Sequence, residues 1–172
     1  MNKKKLKYRV TYLEMNRKPS FDWPKNLKHK LSILLAESFP AWYFLFFYKQ
    51  VGKNYYWTDW LRKSEDEIDE FVNDKNVLLY TLIKDGWPVG FYMLDYRKKD
   101  ICDLSFFGLV EEVIGIGLGK YLLQTAILTA WDSKKIKKLT VNTCSLDHKS
   151  AIYLYQKYGF TPVKYKDLEK TV

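Results

Sequence analysis

Apolar and polar positions in the first third of the chain predict one strand and one helix. Residues 7–15 alternate imperfectly but are rich in β-forming side chains, which predicts a first strand. After Pro24, four leucines share one face at helical spacing and predict a first helix. They are Leu27, Leu31, Leu34 and Leu35. Residues 40–60 concentrate aromatic side chains without a clear period, so we expect part of this segment in the core.

A capping box predicts the second helix. Ser64 precedes Glu67 by three positions, so hydroxyl and carboxylate can satisfy free backbone N–H groups at a helix start. Ile68, Phe71 and Val72 supply the apolar stripe of a short helix. We expect this helix to end near Asn73.

The middle of the chain predicts an antiparallel meander. Asp85-Gly86 separates two apolar runs, residues 77–83 and 87–96, and is a strong hairpin signal. A polar turn at residues 97–100 then leads into a third strand at 101–110.

The last third alternates helices and strands. Leucine and alanine residues recur every three or four positions from Gly117 to the basic run 134–138, which predicts a helix; residues 139–144 predict a strand. Asp147 is expected to cap a final helix that Gly159 stops, before a last strand at 160–165. The fold class is therefore α/β (α+β): a central mixed, mostly antiparallel sheet of about six strands flanked by four helices.

Composition restricts the function classes. Because the chain has 172 residues, we expect it to form a single domain over residues 1–172. The net charge of +9 suits a polyanionic partner, but much of it lies in an N-terminal run that we interpret as a solvated flank, so nucleic acid is not expected. The run comprises Lys3, Lys4, Lys5, Lys7 and Arg9. The longest apolar run, residues 41–48, is too short for a membrane helix, and we expect a cytoplasmic protein without a membrane partner.

Two cysteines and two histidines give no metal-ligand spacing, so no metal is expected.

A glycine-rich loop is the strongest chemical signal. Gly115, Gly117 and Gly119 join a predicted strand to a predicted helix, where backbone N–H groups can bind a phosphate. Tyr121 follows Gly119-Lys120 where a Walker A loop needs Ser or Thr, and G-x-G-x-G is not a dinucleotide fingerprint.

Three stretches together resemble the GNAT superfamily of N-acetyltransferases. Residues 109–123 resemble its motif A, with Gly117 and Gly119 at the two small positions. Residues 86–90 look like the turn between its second and third strands, and residues 151–160 match its A-I-x-L-Y-x-x-x-G-F helix and turn. The resemblance covers about residues 77–160, which would form the acyl-CoA-binding core.

The resemblance implies acetyl-CoA (coenzyme A) as cofactor and an acetyl transfer to a primary amine. It places pantetheine beside the strand before the glycine loop and the pyrophosphate on the loop. The implied cofactor-binding residues are Phe107, Leu109, Val110, Ile114, Gly115, Ile116, Gly117, Leu118, Gly119 and Lys120. Ile114 stands where the family has Gln or Arg, and His148 where it commonly has Asn. Since the chain ends soon after Tyr165, the family's usual seventh strand is expected to be missing.

Acyl transfer needs a neutral amine, oxyanion stabilisation and a proton for the thiolate. Tyr155 matches the family's general acid, although a core aromatic would look the same. Asp103 is the first candidate for the base. His148 could titrate near neutrality or be structural, and Cys144 could carry an acyl group or be a small buried side chain.

Four aromatic residues are candidates for the acceptor pocket, although core packing would explain several of them. They are Tyr55, Tyr56, Trp57 and Trp60. The expected partner is a small-molecule or peptide amine. A non-catalytic CoA-binding or regulatory domain of the same fold is the main alternative, and a nucleic-acid-binding module ranks below it. The sequence identifies neither the acceptor nor the acyl-chain length, and it leaves a homodimer open.

Overall fold

A computed structural model of the protein describes residues 5–25 and 29–171. Lys3, Lys4 and Leu27, which enter the sequence predictions, lie outside these ranges. The strands within them are β1 (Lys5–Met15), β2 (Leu31–Ala36), β3 (Val77–Lys84), β4 (Trp87–Asp95), β5 (Ile101–Leu109), β6 (Lys138–Cys144) and β7 (Thr161–Thr171). The α-helices are α1 (Ala41–Gly52), α2 (Glu65–Val72), α3 (Leu118–Ser133) and α4 (Ala151–Lys157).

The strands of the described residues form one sheet in the order β2-β3-β4-β5-β6-β1-β7. All neighbouring pairs are antiparallel except β5 and β6, which run parallel. This arrangement confirms the predicted mixed, mostly antiparallel sheet with four flanking helices.

The predicted first helix is wrong, because Leu31, Leu34 and Leu35 lie on a strand. β2 pairs antiparallel with β3 from Leu31 opposite Lys84 to Ala36 opposite Leu79. Pairing with a neighbouring strand satisfies the backbone of this short apolar run, and spacing alone cannot separate it from a helical stripe. The described sheet therefore has seven strands instead of about six, and its last strand continues past Tyr165 to Thr171.

The aromatic segment without a period contains α1. Pro40 precedes the helix, whose buried residues include Phe44, Phe47 and Val51. Phe47 stacks on Phe91 of β4 with ring centroids 5.0 Å apart. Aromatic residues on the outer face of α1 remain exposed, which is why the sequence shows no apolar stripe.

Two hydrophobic clusters lie on opposite faces of the sheet. The α3-side core joins α3 and α4 to the sheet, and Leu122, Leu123 and Ile127 of α3 are fully buried within it. The α1-side core joins α1 and α2 to the other face. Successive residues of β4 alternate between them: Phe91 belongs to the α1-side core and Tyr92 to the α3-side core.

Local signals place several boundaries. The capping box of Ser64 and Glu67 is present at the start of α2, as predicted. Gly86 and Gly159 adopt φ values of 91° and 101°, at the hairpin turn and after α4.

None of the helices in the described part of the chain is both long and apolar enough to cross a membrane.

The N-terminal basic residues that the structure describes belong to β1, and their side chains are exposed to solvent. Lys5 and Lys7 pair with Glu169 of β7, and Arg9 pairs with Asp167 at 2.7 Å. These two acidic residues of β7 therefore offset part of the charge of the three basic residues.

Candidate active site

The two parallel strands separate soon after they meet. Residues 101–103 of β5 pair with residues 138–140 of β6, and no pairing continues beyond Thr140 among the described residues. The gap opens into a cavity of about 370 Å³, which we call the cleft. It is lined by β5, the glycine loop, β6, the turn after β6 and α4, and also by Val51, Tyr55 and Trp57 at the end of α1 and after it.

A β-bulge in β5 contributes to this separation. Phe106 lies opposite Met93, but Leu104 lies opposite Leu94, so Ser105 has no counterpart on β4. A bulge of this kind bends its strand and increases the local twist. β5 therefore turns away from β6 where the cleft begins.

The freed edge of β5 presents backbone groups to the cleft. The N–H of Val110 donates to the carbonyl of Val89 at 2.9 Å, towards β4. The carbonyl of Gly108 also faces β4, since a Cβ added to Gly90 would lie 2.7 Å from it. Backbone groups alternate sides along a strand, so the N–H groups of Phe107 and Leu109 point into the cleft.

The glycine loop forms the end of the cleft. Gly115 and Gly117 have φ values of 91° and 89°, which other residues rarely adopt. Gly117 is the N-cap of α3 and provides no side-chain bond, so the first-turn N–H groups of α3 are open to a ligand. Gly119 lies in that turn, where an added Cβ would be 3.9 Å from Leu109 and Leu154. The positive end of the helix dipole favours a negatively charged ligand at this position.

The predicted cofactor-binding residues divide into three groups. Phe107, Leu109, Ile114, Gly115, Gly117 and Gly119 line the cleft. Val110 and Leu118 are buried in the α3-side core, and Ile116 and Lys120 are exposed on the loop and the first turn of α3.

Tyr155 reaches the cleft from α4. Its ring packs edge-on against Phe107 at 6.0 Å and Phe160 at 5.8 Å, and only 5% of the residue is exposed. Burial, with a contribution from the charge of Asp147, raises the pKa of the Tyr155 hydroxyl above its usual value. The phenol therefore stays protonated at neutral pH and can donate a proton.

Asp103 is not brought to the cleft. It lies on the part of β5 that still pairs with β6, where its carboxylate accepts hydrogen bonds from Ser105 Oγ at 2.8 Å and from Thr140 Oγ1. These bonds occupy the carboxylate at the base of the separating strands. The position on β5 was expected, but the divergence of the two strands starts beyond it.

Asp147 has a different role from the predicted cap. α4 begins at Ala151 with Ser150 as its N-cap. Asp147 instead accepts hydrogen bonds from Cys144 N at 2.7 Å, Thr143 Oγ1 at 2.8 Å and Trp57 Nε1 at 3.0 Å. Its carboxylate fixes the turn after β6 and lines the cleft. The sequence does not predict this role of Asp147, because its partner Trp57 is 90 residues away in the chain.

His148 lies exposed at the rim of the cleft. Its Nδ1 accepts a hydrogen bond from the N–H of Ser150 at 3.3 Å, and its ring contacts Tyr55 edge-on at 6.3 Å. An imidazole that accepts at Nδ1 carries its proton on Nε2 when neutral, so Nε2 acts as a donor.

A second, smaller cavity adjoins the cleft. It measures about 260 Å³, and we call it the aromatic cavity. All four predicted acceptor residues, Tyr55, Tyr56, Trp57 and Trp60, line it. It shares Tyr55, Trp57, Ser105, Phe106, Asn142 and Asp147 with the cleft. The two cavities are thus separated by one common wall.

Cys144 also lines the aromatic cavity. Burial, followed by the charge of Asp147, raises the pKa of its thiol. A raised pKa lowers the fraction of thiolate, which is the nucleophilic form. The environment therefore disfavours a covalent acyl-cysteine.

Comparisons with known proteins agree with this geometry. A family model described as "Acetyltransferase (GNAT) family" matches residues 36–160. The search of curated proteins finds no match. Among solved structures, a GNAT family acetyltransferase from Elizabethkingia anophelis with acetyl-CoA bound is 24% identical; the alignment covers 78% of each chain with a TM-score of 0.57.

Two further structures match over nearly the whole chain. A GCN5-related N-acetyltransferase from Kribbella flavida is 14% identical, with 95% of this chain and 57% of that chain covered and a TM-score of 0.63. A functionally unknown protein from Staphylococcus epidermidis is 13% identical, with 96% and 62% covered and a TM-score of 0.64. The chain thus spans about three fifths of these two proteins. At these identities the likeness shows a shared fold.

Proposed function

The chain belongs to the GNAT acetyltransferase family, and from this premise we propose that it transfers the acetyl group of acetyl-CoA directly to a primary amine. The observation that supports this most is the cleft, where an unpaired strand edge, a helix N-terminus and a buried tyrosine meet. The proposal treats residues 1–172 as one acetyltransferase domain with a cofactor-binding core at about 77–160.

The residues of the cleft fit acetyl-CoA. The pyrophosphate would lie at Gly115, Gly117 and Gly119, where open N–H groups and the helix dipole favour an anion. The pantetheine amides would pair with the free edge of β5, as an added strand does. Ile114 lines the cleft with an apolar side chain, so the site would bind phosphate mainly through backbone groups.

Besides the thioester, the reaction needs a nucleophilic amine, donors to the oxyanion and a proton for the leaving thiolate. The amine nitrogen attacks the carbonyl carbon, and the N–H groups of Phe107 and Leu109 are the candidate donors to the oxyanion. The C–S bond then breaks, and we assign Tyr155 the role of giving its proton to the departing thiolate. The phenol is protonated at neutral pH, as an unperturbed tyrosine also is, and so has this proton to give.

The amine must also lose a proton. Asp103 lies outside the cleft, and Nε2 of His148 is a donor in the neutral ring. Asp147 lines both cavities, and its three hydrogen bonds leave Oδ1 one further acceptor position. We therefore assign Asp147 to hold the incoming ammonium and to receive its proton.

Calorimetric titration with acetyl-CoA tests the cofactor site. The Gly119→Glu variant places bulk and negative charge in the first turn of α3 and should weaken binding at least tenfold. Gly119→Ala adds only a Cβ in ordinary contact with Leu109 and Leu154, so it should bind within a few fold of the wild type. Ser32→Glu is the charge-matched control, because Ser32 is exposed on the distant strand β2.

The outcomes separate the two candidate functions. Binding that is lost in Gly119→Glu, together with amine-dependent release of the CoA thiol, would support the acetyltransferase. Binding without thiol release on any amine would favour the non-catalytic CoA-binding domain. No binding by the wild type would overturn both.

A further inference from the structure

We propose that the aromatic cavity selects an acceptor whose single ammonium group is joined by a short chain to an aromatic or apolar body that carries no carboxylate. This inference rests on the proposed function, because it concerns the amine that meets the thioester. The walls, the charges and the size of the cavity support it.

The walls are aromatic and held in place. Six of the lining side chains are aromatic phenols or indoles: Tyr8, Tyr48, Tyr55, Tyr56, Trp57 and Trp60. The ring of Phe106 also lines the cavity, and its centroid lies 5.8 Å from that of Trp60 and 6.1 Å from that of Trp57. Trp60 in turn packs on Phe71 of the α1-side core at 4.5 Å. Ring faces attract both apolar groups and cations.

The charges of the lining favour a cation. Asp59 and Asp147 are its two carboxylates. Lys170 is its one ammonium among the described residues; its Nζ donates to the carbonyl of Tyr56 at 2.7 Å and pairs with Asp59 at 3.6 Å. That side chain is only 13% exposed. A carboxylate on the acceptor would therefore compete with Asp59 for Lys170 and would face two acids.

The phenols add no negative charge. Burial raises the pKa of the Tyr8 and Tyr55 hydroxyls, and it raises that of Tyr48 to about 12. Nearby carboxylates contribute to the rise at each of the three. At neutral pH these groups offer neutral hydroxyls and ring faces, which suits one cation beside an apolar body and not a polycation.

Size and position fix the orientation. The cavity of about 260 Å³ is below the range of roughly 300–1,000 Å³ typical of sites for drug-sized ligands, so one ring on a short chain fits better than an oligosaccharide. Asp147 lies in the wall shared with the cleft. The ammonium would thus lie at Asp147 and the ring against Trp57 and Trp60.

Binding to the CoA-saturated protein tests the inference without turnover. Calorimetry would compare phenethylamine with phenylalanine, which adds only a carboxylate, and with spermidine, a polycation without a ring. Phenethylamine should bind at least tenfold more tightly than either. Trp60→Leu should weaken phenethylamine binding severalfold, whereas Trp87→Leu, at an exposed tryptophan of the β3–β4 hairpin, should not.

A charge variant addresses the same point if Trp60→Leu fails to fold. Asp59 is 72% exposed in its side chain, so Asp59→Asn should fold, and it releases Lys170 from its carboxylate partner. The affinity for phenylalanine should then rise relative to that for phenethylamine. An unchanged ratio would contradict the assigned charge selection.

The results distinguish failure of the inference from failure of the proposed function. Phenethylamine that binds in the cavity but is not acetylated would support the inference and count against the acetyltransferase. Efficient acetylation of spermidine or an amino acid, with weaker binding of phenethylamine, would overturn the inference and leave the acetyltransferase standing.

Discussion

The indole Nε1 of Trp57 donates a 3.0 Å hydrogen bond to Oδ1 of Asp147, 90 residues further along the chain. The other carboxylate oxygen of Asp147 is fixed by Cys144 N and Thr143 Oγ1. The segment after α1 is therefore attached to the turn after β6. This attachment lies in the wall between the cleft and the aromatic cavity.

Replacing Trp57 by Phe should affect the acceptor and not the cofactor. The variant keeps a ring but removes the indole donor, and a hydrogen bond to a charged group contributes roughly 1.5–3 kcal/mol. Because the site is partly exposed, we expect KM for the amine to rise about three- to tenfold. The dissociation constant for acetyl-CoA should stay within about twofold. Steady-state kinetics and calorimetry check both, with Trp87→Phe as control; an equal loss of both affinities would contradict the role.

Tyr155→Phe removes the assigned proton donor. We expect kcat to fall about a hundredfold, in the usual range for loss of a general acid, with acetyl-CoA affinity unchanged. Tyr158→Phe is a matched control, because Tyr158 lies three residues on and is 9% exposed in the same core. Since burial raises the pKa of Tyr155, the wild-type kcat should not decline through loss of this proton below pH of about 10. A full rate in Tyr155→Phe would remove the residue from the mechanism.

The sequence predicted the part of the fold that local signals determine. Asp85-Gly86, the Ser64–Glu67 capping box and the stop at Gly159 each depend on residues close in the chain, and the structure has all three. The prediction for the segment of β2 was wrong because its leucines satisfy both a helical and a strand pattern. Only pairing with β3 decides between them, and that contact is distant in sequence.

Prediction of the site was limited for the same reason. Gly117 and Gly119 are two positions apart in the chain, so the sequence alone suffices to predict an anion-binding loop there. The sequence predicts Asp147 as a helix cap, whereas its contact with Trp57 exists only in the folded chain. Asp103 was placed on the correct strand, but the point where β5 leaves β6 depends on the bulge at Ser105, which no local pattern marks.

Gly108 is expected to tolerate no side chain beside α1. A Cβ at this position would lie 2.2 Å from a methyl group of Val51, which is itself buried. We expect Gly108→Ala to lower the free energy of unfolding by about 1–3 kcal/mol through overpacking. Adding Val51→Ala should restore part of that loss, giving a favourable coupling in the double-mutant cycle. Urea denaturation measures it; strictly additive losses would contradict the contact.

Buried tyrosines should make the protein sensitive to alkaline pH. Burial raises the pKa of Tyr92 and Tyr96 well above the usual value, and that of Tyr48 to about 12. A raised folded pKa means that the stabilisation is complete below pH of about 10 and is lost as pH rises above it. The free energy of unfolding should fall by up to about 1.4 kcal/mol per pH unit for each fully buried tyrosine.

Urea denaturation at pH 8 and at higher values up to about pH 11 measures this slope. Tyr96→Phe removes one of the titrating groups and should make the decline shallower, although it also removes the hydrogen bond to the Ala130 carbonyl. The slope, not the absolute stability, is therefore the quantity to compare. A variant with the wild-type slope would show that Tyr96 does not contribute.

The separation of β5 from β6 also has a consequence for solubility. Unpaired strand edges on the outside of a sheet invite pairing with other molecules and promote aggregation. Here the free N–H groups of Phe107 and Leu109 lie in the interior of the sheet, between two strands that still meet at residues 101–103 and 138–140. An extended strand of another protein could pair with these groups only by entering lengthwise between β5 and β6. A narrow chain that carries amide groups can enter in this way. The fold thus offers strand-like hydrogen bonding to a small ligand while protecting that edge from intermolecular β-sheet formation.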